Sequence, residues 1–314
     1  MIVEFIKKIP DERKNQDLKI WFGFSVFYLL WCTMVVDGRI DHLFFYFLLT
    51  TFLFWHRKTR NFALGFAFFV AFWIIYDGLR IFPNYLLNDV HILDPYLIEK
   101  KLFGIYSDGQ LLTPNEYFRT HSSAILDVIT AMFYLTWVPI PLLLAAILFR
   151  KNTKALLEFT SCYLFTNLLG FVIYYSYPAA PPWYFNQYGN VFDLSVKANA
   201  AGLLSFDKLI GYPLFEGLYT KNSNVFAAIP SLHAAYPVVT WYYAKKYASK
   251  PLTWIVFIDI VGIWFSAVYS FHHYFIDVLL GGLVAFLSIL SYEKLLLKTR
   301  FSEYIVKFAQ FIDN

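Results

Sequence analysis

The sequence predicts an all-α fold, a polytopic membrane helix bundle of about eight transmembrane helices, and three observations predict it. Of 314 residues, 59% are hydrophobic and only 15% charged, whereas soluble domains carry about 25% charged residues. Long runs almost free of charge recur along the chain, each able to cross a hydrocarbon layer that takes roughly 20 helical residues. Basic residues then cluster in every second connection between those runs.

Taken in order, the strong runs are Ile20 to Val36, Phe62 to Tyr76, Val128 to Phe149, Phe159 to Tyr177, Leu252 to Ser270 and Val278 to Tyr292. Leu43 to Trp55 is short, and Ala228 to Tyr243 carries His233 and two small polar residues; both are needed to keep the charge pattern regular. No cleavable signal peptide is expected, because a charged segment through Lys19 precedes the first run and no small-residue cleavage site follows it. Cys32 and Cys162 fall inside apolar runs, where they read as small buried hydrophobes.

The basic groups are Lys7, Lys8, Arg13, Lys14 and Lys19; Arg57, Lys58 and Arg60; Arg150, Lys151 and Lys154; Lys245, Lys246 and Lys250; and Lys294, Lys298 and Arg300. By the positive-inside rule both termini are then cytoplasmic. The opposite side receives Asp37 to His42, Arg80 to Ser122, Tyr177 to Ala227 and the turn at Phe271 to Phe275. Six of the seven histidines lie in or beside those segments, so any chemistry is expected to face away from the cytosol. The two long segments are rich in aromatic and apolar residues, as in "PYLIEKKLFGIY" and "PAAPPWYFNQYG", and are expected to fold back onto the membrane surface or into the bundle. Such irregular backbone is tolerated at that depth only where it is buried in protein or lines a wet cavity. With no internal repeat, residues 1–314 read as one membrane domain: 20–122 as the N-terminal spans with the first long outer loop, and 123–297 as a catalytic helix core.

Two stretches carry chemistry. In "SAVYSFHHYFIDVLLGG" (266–282), His273 and Asp277 are spaced i, i+4, and share a face if this end of the last run is helical. A carboxylate holding one imidazole nitrogen fixes the tautomer and leaves the other free to attack. In "AAIPSLHAAYP" (227–237), Pro230 marks a helix start that favours an anion, Ser231 adds a hydroxyl, and His233 is placed for general acid–base work. Ionisable groups inside a membrane are costly, which argues for function over packing. Three imidazoles and a carboxylate also make a zinc-ligand set, but adjacent histidines project in different directions, so no metal and no cofactor is expected. Arg80 either binds phosphate or pairs with Asp77 or Asp127, while Glu158 and Asp259 read as structural.

"PSLHAAYP" and "SAVYSFHHYFIDVLLGG" resemble the second and third signature motifs of the type 2 phosphatidic acid phosphatase superfamily. "PPWYFNQYG", "NSNVFAAIPSLHA" and "HHYFIDVLLGG" resemble the fungal inositol phosphorylceramide synthases and their bacterial relatives more closely, over roughly Tyr177 to Gly282. The resemblance implies a six-helix core and transfer of a phosphoinositol-type headgroup from a glycerophospholipid to ceramide through a phosphohistidine. It implies His273 as nucleophile, Asp277 as its orienting carboxylate, His233 as the remaining catalytic histidine and Ser231 in the phosphate-binding turn. Substrate contact is further expected at Trp183, Tyr184, His272, Arg80 and Lys221. The partners implied are donor and acceptor lipids and the membrane, not nucleic acid. Two departures stand out: the superfamily's lysine-and-arginine first motif is replaced by "YPAAPPWY", and Ala267 stands where an arginine usually follows the serine of the third motif. The alternative that the same residues allow is a hydrolase of lipid phosphates or isoprenoid diphosphates.

Overall fold

The structure is a computed structural model that describes residues 11–220 and 224–313. It is helical nearly throughout. Among the described residues five helices are long and apolar enough to cross a membrane, and a sixth span forms when one bent pair is joined. Two 16-residue helices, Ile40–Trp55 and Leu232–Tyr247, occupy the positions of the two weak runs.

Helix α1 (Asp11–Val35) is stopped by Asp37 and Gly38, whose positive φ angles of 52° and 65° reverse the chain into α2 (Ile40–Trp55). His56, the one histidine expected on the cytoplasmic side, is a corner residue. Its ring accepts a hydrogen bond from the Lys58 amide at 3.0 Å, while Thr59 Oγ1 accepts from the His56 amide at 3.1 Å. This reciprocal box starts α3 (Arg57–Gly65), and a 50° bend then leads into α4 (Ala67–Gly78). Arg60 is buried rather than solvated: its Nε and Nη2 donate to Asp17 at 2.7 and 2.8 Å, and the guanidinium lies over the Phe311 ring. A pair this well matched ties α1 to α3, whereas either partner left alone would be a costly buried charge.

The first long connection holds α5 (Leu93–Phe103), a hairpin of β1 (Ile105–Ser107) and β2 (Gln110–Leu112), and α6 (Pro114–Thr120), which opens with a Thr113/Glu116 capping box. The fourth span is α7 (Ala124–Leu135) and α8 (Pro139–Lys151), interrupted where Pro139 and Pro141 cannot continue the helical hydrogen bonds. Thr136 in that gap donates to Asp259 at 2.5 Å, giving the buried aspartate a structural partner. The central helix α9 (Thr153–Ser176) is capped by Asn152 and is the most enclosed of the spans. Glu158 on it accepts from Tyr247 Oη at 2.5 Å, again a structural contact.

The second long connection carries α10 (Pro182–Tyr188), α11 (Leu204–Ile210) and α12 (Leu214–Tyr219). As expected, it folds back: Ala179 bridges both His91 and Ala227 by backbone pairing. Then come α13 (Leu232–Tyr247), α14 (Lys250–Tyr269) and α15 (Phe275–Lys294). The sixth span starts four residues later than the apolar run, because Ser231 caps it: Ser231 Oγ accepts from the Ala234 amide at 3.3 Å. An amphipathic helix the sequence reading did not anticipate, α16 (Phe301–Asp313), closes the bundle against Leu64 and Leu157.

Close approach of α13 and α15 decides where the functional residues meet. A Cβ on Gly281 would lie 2.1 Å from the Ser231 carbonyl oxygen, and the Ser231 amide donates to the Asp277 carbonyl at 2.9 Å. Gly281→Ala is therefore expected to destabilise the bundle by about 1–3 kcal/mol or more, as overpacking does. Thermal unfolding of the purified variant in detergent checks it.

Candidate active site

Between α14 and α15 the chain makes a tight turn, with Phe271 in the left-handed region at φ 66°. The amides of His272 and His273 both donate to the Ala267 carbonyl, at 3.2 and 3.0 Å, which closes the turn. Both rings are buried. His273 Nδ1–H donates to the Ala228 carbonyl at 3.0 Å. A carbonyl only accepts, so the proton of a neutral ring sits on Nδ1 and the lone pair on Nε2. Burial pushes the His273 imidazole down to about 4, so this ring is neutral at physiological pH.

Here the expected role of Asp277 changes. Its Oδ2 lies 3.6 Å from His273 Nδ1, beyond hydrogen-bond length, and instead accepts from the Tyr274 amide at 2.9 Å. The i, i+4 argument does not apply because α15 begins only at Phe275, leaving His273 in the turn that precedes it. The Ala228 carbonyl is the orienting group, and Asp277 is the capping carboxylate of the helix that follows, with Oδ1 buried and unpartnered.

His233, in the first turn of α13, completes the pair. Its ring centroid is 5.8 Å from that of His273, and its Nδ1 is 3.3 Å from Tyr134 Oη. Both histidines, with His272, line a cavity of about 440 Å³ whose walls include Tyr134, Trp137 and Tyr236. His272 is held on its far side: Nε2–H donates to the Ala200 carbonyl at 2.9 Å and the ring stacks on Tyr219 at 4.4 Å.

Of the other expected residues, Trp183 and Arg80 line the cavity, and Arg80 pairs with Asp77 at 3.2 Å. Asp127 is engaged elsewhere, accepting from Tyr269 Oη at 2.7 Å. Ser231 and Tyr184 are fully buried outside the lining. The hydroxyl of Ser231 is used as a helix cap, and that of Tyr184 donates to the Val191 carbonyl at 2.9 Å and accepts from the Asp193 amide at 2.8 Å. Lys221 lies outside the described residues. Among the described residues no three His, Cys, Asp or Glu side chains converge as a metal-binding group.

Two residues the sequence reading did not nominate grip the histidine turn from the first long connection. Asn115 Nδ2 donates to the carbonyls of Val268 and His273, at 2.7 and 2.9 Å. Glu99 is fully buried and accepts from the amides of Phe275 and Ile276 at 2.9 and 3.1 Å, filling the start of α15. Burial raises the Glu99 carboxyl to about 7 against the opposing pull of those amides. A carboxyl raised in the folded state binds its proton more tightly there than in the unfolded chain, so it stabilises the fold below its ordinary value and this contribution fades as pH rises toward 7. Thermal stability of the wild type is expected to fall between about pH 4.5 and 7, and Glu99→Gln to flatten that part of the profile. Unfolding midpoints measured across the range check it.

Comparison with known proteins gives the family to which the chain belongs. Residues 112–291, more than half of the chain, match the family model of the PAP2 superfamily. The chain is 42% identical over 302 residues to the phosphoinositol dihydroceramide synthase of Bacteroides thetaiotaomicron, covering 95% of this chain and 99% of that one. It is 31% identical over 185 residues to the inositol phosphorylceramide synthase of Candida albicans, covering 56% of this chain and 37% of that one. The catalytic subunit of the Saccharomyces cerevisiae inositol phosphorylceramide synthase is 27% identical over 189 residues, covering 57% and 45%. No solved structure matches the chain. Motifs, helical architecture and full-length similarity agree: the chain belongs to the PAP2 superfamily and, within it, to the inositol phosphorylceramide synthase family of integral membrane enzymes.

Proposed function

We propose that the protein transfers a phosphoinositol-type headgroup from a glycerophospholipid to the primary hydroxyl of a ceramide. The observation that carries this is the pair His233 and His273, with ring centroids 5.8 Å apart in one aromatic-walled cavity, so that one phosphorus atom is within reach of both. The relatives' names supply the phosphoinositol headgroup and the ceramide or dihydroceramide acceptor.

In the first half-reaction the Nε2 lone pair of His273 attacks phosphorus. The P–O bond to diacylglycerol breaks, and His233 gives its proton to the leaving alkoxide. Positive charge then develops on the His273 ring, stabilised by the Ala228 carbonyl that holds its Nδ1–H. In the second half the ceramide hydroxyl loses its proton to His233 and attacks phosphorus, the P–N bond breaks, and His273 is restored. Water competes with ceramide for the same intermediate. Aromatic walls around the pair disfavour it and so favour transfer over hydrolysis.

The distribution of basic residues supports cytoplasmic termini and a site opening on the opposite, periplasmic or lumenal, face. The residues outside 123–297 are read as an addition to the catalytic helix core within one membrane domain.

Purified protein supplied with labelled phosphatidylinositol is expected to form labelled phosphoceramide only when ceramide is present, with little free inositol phosphate. Release of inositol phosphate at the same rate without ceramide would show a hydrolase instead.

A further inference from the structure

The histidine cavity extends to a second set of polar groups supplied by helices outside residues 112–291. Arg39 and Asp41, at the corner between α1 and α2, line it together with Asp77 and Arg80 from the end of α4. Asp77 is the hub. Its Oδ1 accepts from Arg80 Nε at 3.2 Å, and its Oδ2 accepts from His42 Nε2 at 2.6 Å and lies 3.5 Å from Arg39 Nη1. Arg39 Nε in turn donates to Asp41 Oδ1 at 3.1 Å, and Tyr28 Oη meets the other nitrogen of His42 at 3.0 Å. Three helices thus fix the geometry of four charged side chains on one wall.

The charge balance of these four side chains favours an uncharged ligand over an anion. Two guanidinium groups face two carboxylates, so the set has no excess positive charge with which to hold a phosphate. It does offer rigid donors and rigid acceptors side by side. An uncharged group with several hydroxyls, each both donor and acceptor, satisfies both kinds. Side-chain exposures of 30% for Arg39 and 46% for Asp41 leave polar atoms of both open to such a group.

We propose that Arg39, Asp41, Asp77 and Arg80 form a headgroup-selecting subsite that holds the polyol ring of the donor lipid while its phosphate lies at the histidines. This rests on the transfer reading above and divides the labour within the chain: residues 112–291 carry the chemistry, and the N-terminal helices choose the headgroup. Sites built to hydrogen-bond a substrate hydroxyl reject analogues lacking it by large factors, because the site's own polar groups are then left unpaired.

The test uses the purified full-length chain in vesicles holding equal mole fractions of phosphatidylinositol and phosphatidylglycerol with ceramide, the products being separated by mass. Wild type is expected to yield the inositol product in large excess. In Arg39→Gln and Asp41→Asn that excess falls at least about tenfold, equivalent to about 1.4 kcal/mol of lost discrimination, through a higher KM for phosphatidylinositol. An unchanged product ratio, or an equal loss from both donors, overturns the proposal, since a merely structural role lowers both together. Asp41→Asn decides the matter if Arg39→Gln does not fold, because its side chain is the more exposed. A wild type that makes no inositol product defeats the transfer reading, and this inference with it; a wild type that makes it while both variants keep their selectivity defeats this inference alone.

Discussion

His273→Ala is expected to lower headgroup transfer by at least about a thousandfold, the scale on which removal of a covalent nucleophile is felt. The imidazole presents Nε2 to the cavity only because Nδ1–H is committed to the Ala228 carbonyl. No other described side chain has that arrangement beside His233. His272 is spent on Ala200 and on stacking with Tyr219, so it cannot substitute. Folding should survive the change, since the turn is held by backbone bonds to Ala267 and by Asn115 and Glu99 rather than by the ring itself. Rates of labelled phosphoinositol-ceramide formation from labelled phosphatidylinositol, with thermal unfolding as a control, measure it. A variant within tenfold of wild type would remove His273 from the reaction.

His233→Ala is expected to cost about a hundred- to ten-thousandfold, the range general acid–base groups supply. Its signature differs. A donor whose leaving group is a phenol departs without protonation, so the variant should recover most of its first half-reaction on such a lipid, while His273→Ala recovers nothing. The contact between His233 Nδ1 and Tyr134 Oη makes Tyr134→Phe a milder version of the same defect, about tenfold, because the ring loses its orienting partner but keeps its proton-carrying nitrogen. Burst kinetics with the activated donor separate the two roles.

How much of this was legible in the sequence follows from what each feature depends on. Spans are local: a run such as Val128 to Phe149 announces a membrane helix by composition alone, and α7 with α8 occupies that place. The pairing of His233 with His273 was legible because each histidine stands at the end of an apolar run. Orientation of the nucleophile was not, since the group that fixes it is the backbone carbonyl of Ala228, and every residue has a carbonyl. Spacing suggested Asp277 for that task, and the late start of α15 removes it.

Ser231 shows a second kind of difference. A serine after proline and before an apolar helix satisfies both a phosphate-binding reading and a capping one, and the contact with the Ala234 amide shows the cap. Asn115 and Glu99 reach the histidine turn across sequence separations of 158 and 176 residues, where no pattern connects them. Arg39 and Arg60 look alike in a count of basic residues. One faces the cavity and the other is buried against Asp17, a difference that lies wholly in tertiary packing.

Two successive displacements at phosphorus, with His273 as the intermediate bearer of the headgroup, are the core of the proposed reaction. The stereochemical course of transfer tests this most directly, using phosphatidylinositol made chiral at phosphorus with sulfur and oxygen isotopes. Two in-line displacements invert twice, so the ceramide product is expected to retain the donor's configuration. Inversion would mean that ceramide attacks the donor lipid in one step, and would contradict the account.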